Sequence, residues 1–143
     1  MPCDVLFVGA GPACLAGSIH LMNLIESHNE GVSSGEVEGE LFDEPMILVI
    51  EKGSEVGAHQ LSGAVLDPQA LDELVPDWRE RSDFPLERFV EREEMTFLTT
   101  TGKIKAPWIP PELQNHGKPI VSLGLFCKWL AEIAEEKMVN INY

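Results

Sequence analysis

In the stretch "VGAGPACLAGS", Val8 to Ser18, two glycines stand where a backbone could wrap a phosphate. Gly9 would let the chain turn sharply as it leaves a strand. Gly11 would let a pyrophosphate approach the main chain, where the free N–H groups and dipole of a helix N-terminus favour negative charge. The third position of the G-x-G-x-x-G pattern holds Cys14. That position serves the packing of helix on strand, so cysteine is expected to overpack the scaffold by roughly 1–3 kcal/mol while leaving the phosphate approach open. Gly17 lies three residues further along and does not replace it.

A glycine turn alone is weak evidence. It gains weight from a carboxylate at the end of the next parallel strand, placed to accept hydrogen bonds from ribose hydroxyls. Glu51 ends "MILVIE" and meets that requirement, although it lies about twice as far beyond the turn as the usual ~20 residues. The glycine pattern continues in "EKGSEVGAHQLSGAVLDP". Nicotinamide-binding domains usually run straight into a helix here. Flavoproteins with this turn often carry such a loop under the cofactor.

These residues need a strand, a turn and a helix to position them. "DVLFVGAG" reads as a buried parallel strand. Leu15, Ile19, Met22 and Ile25 or Glu26 then recur at helical spacing on one mainly apolar face. Residues 28–45, rich in Gly, Ser and Glu, read as a solvated acidic loop inserted before the second strand, Met46 to Glu51. In "LDPQALDELVPDW", Asp67 can cap a short helix, Pro68 suits its first turn and Pro76 stops it. "EMTFLTTTGKIKAP" alternates as a hairpin turning near Thr101-Gly102. Ser122 can cap a last helix lined by Leu123, Phe126, Leu130 and Ile133, and "VNINY" reads as a third strand. The expected fold class is α/β: a Rossmann-like FAD-binding fold with a parallel sheet and an inserted β-hairpin, incomplete because such a sheet normally has more strands and cover on both faces.

Composition narrows the function classes. The 143 residues fit one domain with 44% apolar content, enough for a core. A formal net charge of -14 repels phosphate backbones and argues against nucleic-acid binding. Cys3, Cys14 and Cys127 form no CxxC pair, which disfavours a disulfide framework, a zinc site or an iron–sulfur ligand run. The sequence shows no targeting signal and no run of about 20 apolar residues.

Five segments carry a resemblance: "DVLFVGAGPA", "VIEKGSEVGAHQLSGAVLDPQALDELVPDW", "FLTTTGKI", "NHGKPIVSLG" and "WLAEIAEE". In this order they resemble the electron transfer flavoprotein–ubiquinone oxidoreductase family, at the opening part of its FAD-binding domain. The match spans nearly all of residues 1–143 except the acidic insert. The resemblance implies an oxidoreductase of the electron-transferring-flavoprotein dehydrogenase type. Such an enzyme takes electrons from reduced electron transfer flavoprotein through FAD and a [4Fe–4S] cluster to ubiquinone. It implies peripheral association with a membrane, at the cytoplasmic face in bacteria or the matrix face of the mitochondrial inner membrane. Carried over to this chain, the cofactor-binding positions are Gly9, Gly11, Pro12, Ala13, Glu51, Lys52, Gly57, Ala58, His59, Ser62, Gly63 and Ser122, with Leu123 beside the last. The family has glycine where Cys14 stands, and its cluster ligands, quinone region and later FAD segments lie outside these residues. The expectation is a fragment of such an enzyme, with no acid, base or nucleophile of its own.

Other constellations weigh less. His59, Ser62 and Asp67 suggest a hydrolytic set, but no nucleophile elbow surrounds Ser62. Trp78, Trp108 and Trp129 are scattered in sequence, and the glutamates of the insert lack EF-hand spacing. A related FAD-dependent reductase of the same fold, or a truncated non-catalytic fragment, remain the alternatives.

Overall fold

The computed structural model describes residues 2–143. The chain begins with β1 (Val5–Val8), passes through the glycine turn into α1 (Pro12–Ser34), and returns as β2 (Ile47–Ile50). An excursion follows: β3 (Ala64–Val65), α2 (Pro68–Leu74), β4 (Leu86–Phe89), the hairpin β5 (Thr96–Leu98) and β6 (Lys103–Lys105), and β7 (Pro119–Val121). The chain closes with α3 (Leu123–Glu136) and β8 (Asn140–Asn142).

The architecture is α/β with one parallel and two antiparallel sheets. In the parallel sheet the order is β1-β2-β8, with Val5 opposite Ile47 and Leu48 opposite Asn140. The second sheet runs β3-β7-β4, and β5 pairs only with β6. The expected strands, the hairpin and the closing strand therefore stand. The antiparallel β3-β7-β4 sheet has no counterpart in the sequence reading, because its strands are two to four residues long and every residue of β4 is exposed.

Helical spacing decides the core. Leu15, Ile19 and Met22 of α1 pack with Ile47 and Val49 of β2 and with Phe126, Leu130 and Ile133 of α3. The alternation of β2 sends Ile47 and Val49 inward, while Ile50 faces out. The strand expected to be buried on both sides is covered on one side only: Leu6 is 49% and Val8 71% exposed. Phe84 gathers Trp78 and Trp129 around itself at centroid distances of 4.7 and 5.1 Å, so two tryptophans far apart in sequence share one aromatic cluster. Their indole N–H groups donate to Asp72 and Asp83.

The reading of residues 28–45 as a solvated loop is corrected for its first part: residues 28–34 continue α1, which ends on Gly35 in the left-handed conformation (φ 78°), the usual helix stop. Residues 35–45 are loop, exposed through residue 44, and fold back along the helix. Asn29 makes reciprocal bonds with Phe42, Nδ2 donating to its carbonyl and Oδ1 accepting from its N–H, both at 2.9 Å. The His28 ring lies 5.2 Å from the Phe42 ring. Gly31 is buried beneath Val37 so closely that a Cβ there would come within 2.7 Å of the valine. Gly31 disfavours a helix locally by about 1 kcal/mol, and the tertiary contact with Val37 overrides that preference.

Candidate functional site

The parallel sheet brings Gly9 and Glu51 together. β1 and β2 run side by side in register, so both chains leave the sheet at the same edge. Gly9 adopts φ 99°, a conformation L side chains rarely take, and its N–H donates to the Ile50 carbonyl at 2.7 Å. Glu51 then staples the two exits together. Its Oε2 accepts from the Ala10 N–H and its Oε1 from the Gly53 N–H, each at 2.8 Å. These two backbone donors hold its carboxyl below the usual carboxylate range. The charge of nearby His59 adds to the effect, and partial burial opposes it. An ionised carboxylate offers about four lone-pair sites, so acceptor capacity remains for a hydroxyl donor. A pocket of about 330 Å³ opens beside it, lined by Val8, Gly9, Ile50, Glu51 and Lys52.

Gly11 differs in kind from Gly9. It caps α1 with φ -84° and ψ 173°, ordinary extended geometry for any residue. A Cβ built on it would meet only the Gln60 amide nitrogen, at a comfortable 3.8 Å. Nothing within the chain demands glycine here. Serine or aspartate at this N-cap would satisfy an open helix N–H. Glycine instead leaves the helix N-terminus without side-chain capping. Pro12 follows at the first helical position, where its missing N–H costs nothing, and Ala13 is exposed.

Cys14 does not crowd the scaffold as expected. It is half-buried, and its thiol donates to the Val8 carbonyl at 3.6 Å. The tight approach of helix to strand falls at Gly17, where a Cβ would come within 3.1 Å of the Phe7 ring.

The loop after Glu51 runs between two helix N-termini. Gly57 (φ 82°) presses against α3 so tightly that a Cβ would lie 2.5 Å from the Gly124 carbonyl oxygen. Lys128 of α3 donates to Glu55 at 2.8 Å and ties the same contact from outside. Ser122 caps α3 by position, as expected, but its side chain makes no capping hydrogen bond. His59 lies over Gly53, where a Cβ would meet its Cε1 at 3.4 Å. Ala58 and Lys52 are exposed beside this arrangement, and Ser62 and Gly63 lie exposed further on, in the approach to β3. Leu123, the first residue of α3, packs against the core.

Three contributors were not legible in the sequence. Gln60 faces both Gly11 and Gly124, Gly53 supplies a backbone donor to Glu51, and Gly124 receives Gly57. "EKG" and "SLG" carry the glycines as a faint signal, whereas nothing local marks Gln60.

Together these elements form a crevice at the carboxyl ends of the parallel strands β1 and β2, the region where α/β proteins place nucleotide ligands. No family model matches the chain. Curated proteins do. The chain is 41% identical, over 96% of its length, to the mitochondrial electron transfer flavoprotein-ubiquinone oxidoreductase of Dictyostelium discoideum, and the match spans 20% of that protein. It is 40% identical over 99% of its length to the probable enzyme of the same name from Acinetobacter baylyi, covering 23% of it. The human mitochondrial protein is 37% identical over 96% of this chain, again covering 20% of the relative. The chain is thus homologous, over nearly its whole length, to part of the electron transfer flavoprotein–ubiquinone oxidoreductases, and spans about a fifth of the curated relatives it matches.

Proposed function

We propose that this chain supplies the dinucleotide-binding turn of an FAD site, in a protein that passes electrons from reduced electron transfer flavoprotein to ubiquinone. The observation that carries the first half is Gly11. Its backbone would accept any residue and its Cβ direction is open, so the missing side chain matters to something outside the chain. An anionic pyrophosphate seated on the α1 N-terminus is the group that benefits. The second half rests on the shared names of the relatives.

The residues fit the cofactor. Gly9 turns the chain out of β1. Gly11 leaves room for the pyrophosphate, and Ala13, the first non-proline residue of α1, offers a backbone N–H toward it. Glu51 remains ionised and fixed by two backbone donors, ready to accept from ribose hydroxyls beside the 330 Å³ pocket. Lys52 stands exposed at the rim, and in this reading the loop from Gly57 to Gly63 covers one side of the cofactor. When bound, FAD supplies the redox chemistry, while the protein binds, orients and shields it.

The cysteines do not fit a [4Fe–4S] cluster. Such a cluster takes four thiolates and the chain has three cysteines. Cys127 is buried in α3, where loss of solvent pushes its thiol up to about 11. In this reading the cluster, the quinone site and the membrane contact belong to other parts of the protein. No helix among the described residues is long and apolar enough to cross a membrane.

Titration with FAD, followed by flavin fluorescence, tests the reading. The whole protein should bind FAD, and Glu51→Ala should weaken binding about tenfold, the scale of a lost hydrogen bond to a charged group. Equal affinity in both would remove Glu51 from the site.

A further inference from the structure

Another concave surface lies further along α1, at Leu21, Leu24, Ile25 and His28. We propose that the groove between α1 and residues 36–45 docks a partner protein through a segment that is rich in Lys and Arg and inserts an apolar anchor.

The groove is about 580 Å³ and has an apolar floor made by Val5, Leu21, Leu24, Ile25, Phe42 and Ile47. Its rim carries Asp4 and Asp43. The segment that forms one wall is exposed but held in shape. Asn29 grips Phe42 from both sides of its peptide, His28 bonds the Glu40 carbonyl at 3.0 Å, and Glu36 and Val37 donate to the Gly31 carbonyl. This scaffold presents large apolar side chains to solvent: Leu24 is 55%, Leu41 54% and Phe42 55% exposed. Fixing such side chains outward gains nothing for the isolated fold, and grouped exposed apolar surface with a polar rim marks an interaction site.

Charge selects the occupant. Residues 1–51 contain nine carboxylates and no Lys or Arg. Glu26 is neutralised by Lys137 at 2.7 Å, and Glu51 is tied into the turn. Glu30, Glu36, Glu38, Glu40, Asp43 and Glu44 have no ion-pair partner among the described residues. Asp4 and Asp43 line the groove, and the other unpaired carboxylates lie on α1 and the wall segment beside it; this uncompensated negative charge repels anionic lipid and nucleic acid and disfavours a second copy of the same chain. It draws in a basic segment, and the floor rewards an apolar side chain that reaches it.

The probe is a synthetic amphipathic helix of Leu and Lys, compared with the same peptide carrying Glu for Lys and with a scrambled order. Binding to the whole protein is measured by fluorescence anisotropy and mapped by hydrogen exchange. The Leu/Lys helix is expected to bind, to protect residues 21–28 and 36–45, and to weaken as salt rises. Phe42→Ser and Leu24→Ser should each weaken it about tenfold, the scale of a lost apolar anchor. Asp43→Lys should weaken it more than Glu87→Lys, which makes the same charge change on exposed β4. Equal effects of the two charge changes, protection elsewhere, or equal binding of the scrambled peptide would overturn the proposal. So would self-association of the protein that Phe42→Ser abolishes, since the occupant would then be a second copy. Protection mapping on the unmodified protein keeps the test decisive if a variant fails to fold.

Discussion

Helices α1 and α2 begin almost alike and end up with opposite uses for their first turn. Each has proline at its first helical position. Before Pro68 stands Asp67, whose carboxylate accepts from the Gln69 N–H at 3.2 Å and also takes the Lys118 ammonium at 3.0 Å. Those two partners hold the Asp67 carboxyl below its ordinary value, Lys118 contributing most. Before Pro12 stands Gly11, which brings no side chain at all. The α2 N-terminus is satisfied from within the chain. The α1 N-terminus has no side-chain cap, and Glu51 stands beside it on the Ala10 N–H; in the proposed reading that end receives the cofactor's pyrophosphate. A helix that forgoes its cap loses some stability and gains a place for an anion.

Exchanging the two arrangements gives the largest expected effect. Gly11→Asp places a carboxylate where the pyrophosphate would sit. FAD affinity should fall about a hundredfold, or roughly 2.7 kcal/mol, from charge repulsion and lost space. The melting temperature should hold or rise, because the new side chain caps α1. A variant that keeps its flavin would break the comparison.

Next in size is Gly57→Ala. The left-handed backbone and the 2.5 Å approach to the Gly124 oxygen leave no room for a methyl group. Destabilisation of roughly 2–4 kcal/mol is expected in denaturant unfolding, with flavin loss following from the displaced loop. Unchanged stability would mean that the loop is not braced on α3.

Acid unfolding sharpens the role of Glu51. Its folded-state carboxyl titrates below the ordinary value of 4.5. The stability it adds is complete above that value and disappears as pH falls through the lower folded-state pKa. Glu51→Gln should therefore flatten the stability curve below about pH 4.5. A melting-temperature series against pH, read on both proteins, shows whether the slope survives.

The smallest effect belongs to Cys14→Ala. The side chain is half-buried and its sulfur makes one weak contact. Thermal unfolding should move by no more than about 0.5 kcal/mol, and FAD affinity should stay level. A gain of several kcal/mol would restore the overpacking that the motif alone suggests.

Much of this was legible because some local patterns have few interpretations. "DP" before an apolar helix is a cap, and Asp67 is one. "TTTGK" between alternating runs turns a hairpin, and residues 99–102 do so. Glycine, glycine and a strand-ending glutamate predicted an encounter, and Glu51 meets the turn through Ala10. What stayed hidden depended on partners distant in sequence. The four exposed residues of β4 carry no inward alternation, and only pairing with β7 makes them a strand. The polar end of α1 gave no reason to extend the helix to His28 and beyond, until Val37 and Phe42 folded back on it.

The sequence by itself determined the α/β order, the turn with its two glycines, and the acidic residue that answers them, because backbone conformation and strand-end position are local properties. The tertiary structure alone decided which glycine serves which need. Gly9 satisfies a dihedral angle, Gly17 and Gly57 make room for Phe7 and α3, and Gly11 serves neither the backbone nor the packing. That distinction depends on what stands opposite each missing Cβ, and only the folded chain brings those neighbours into place.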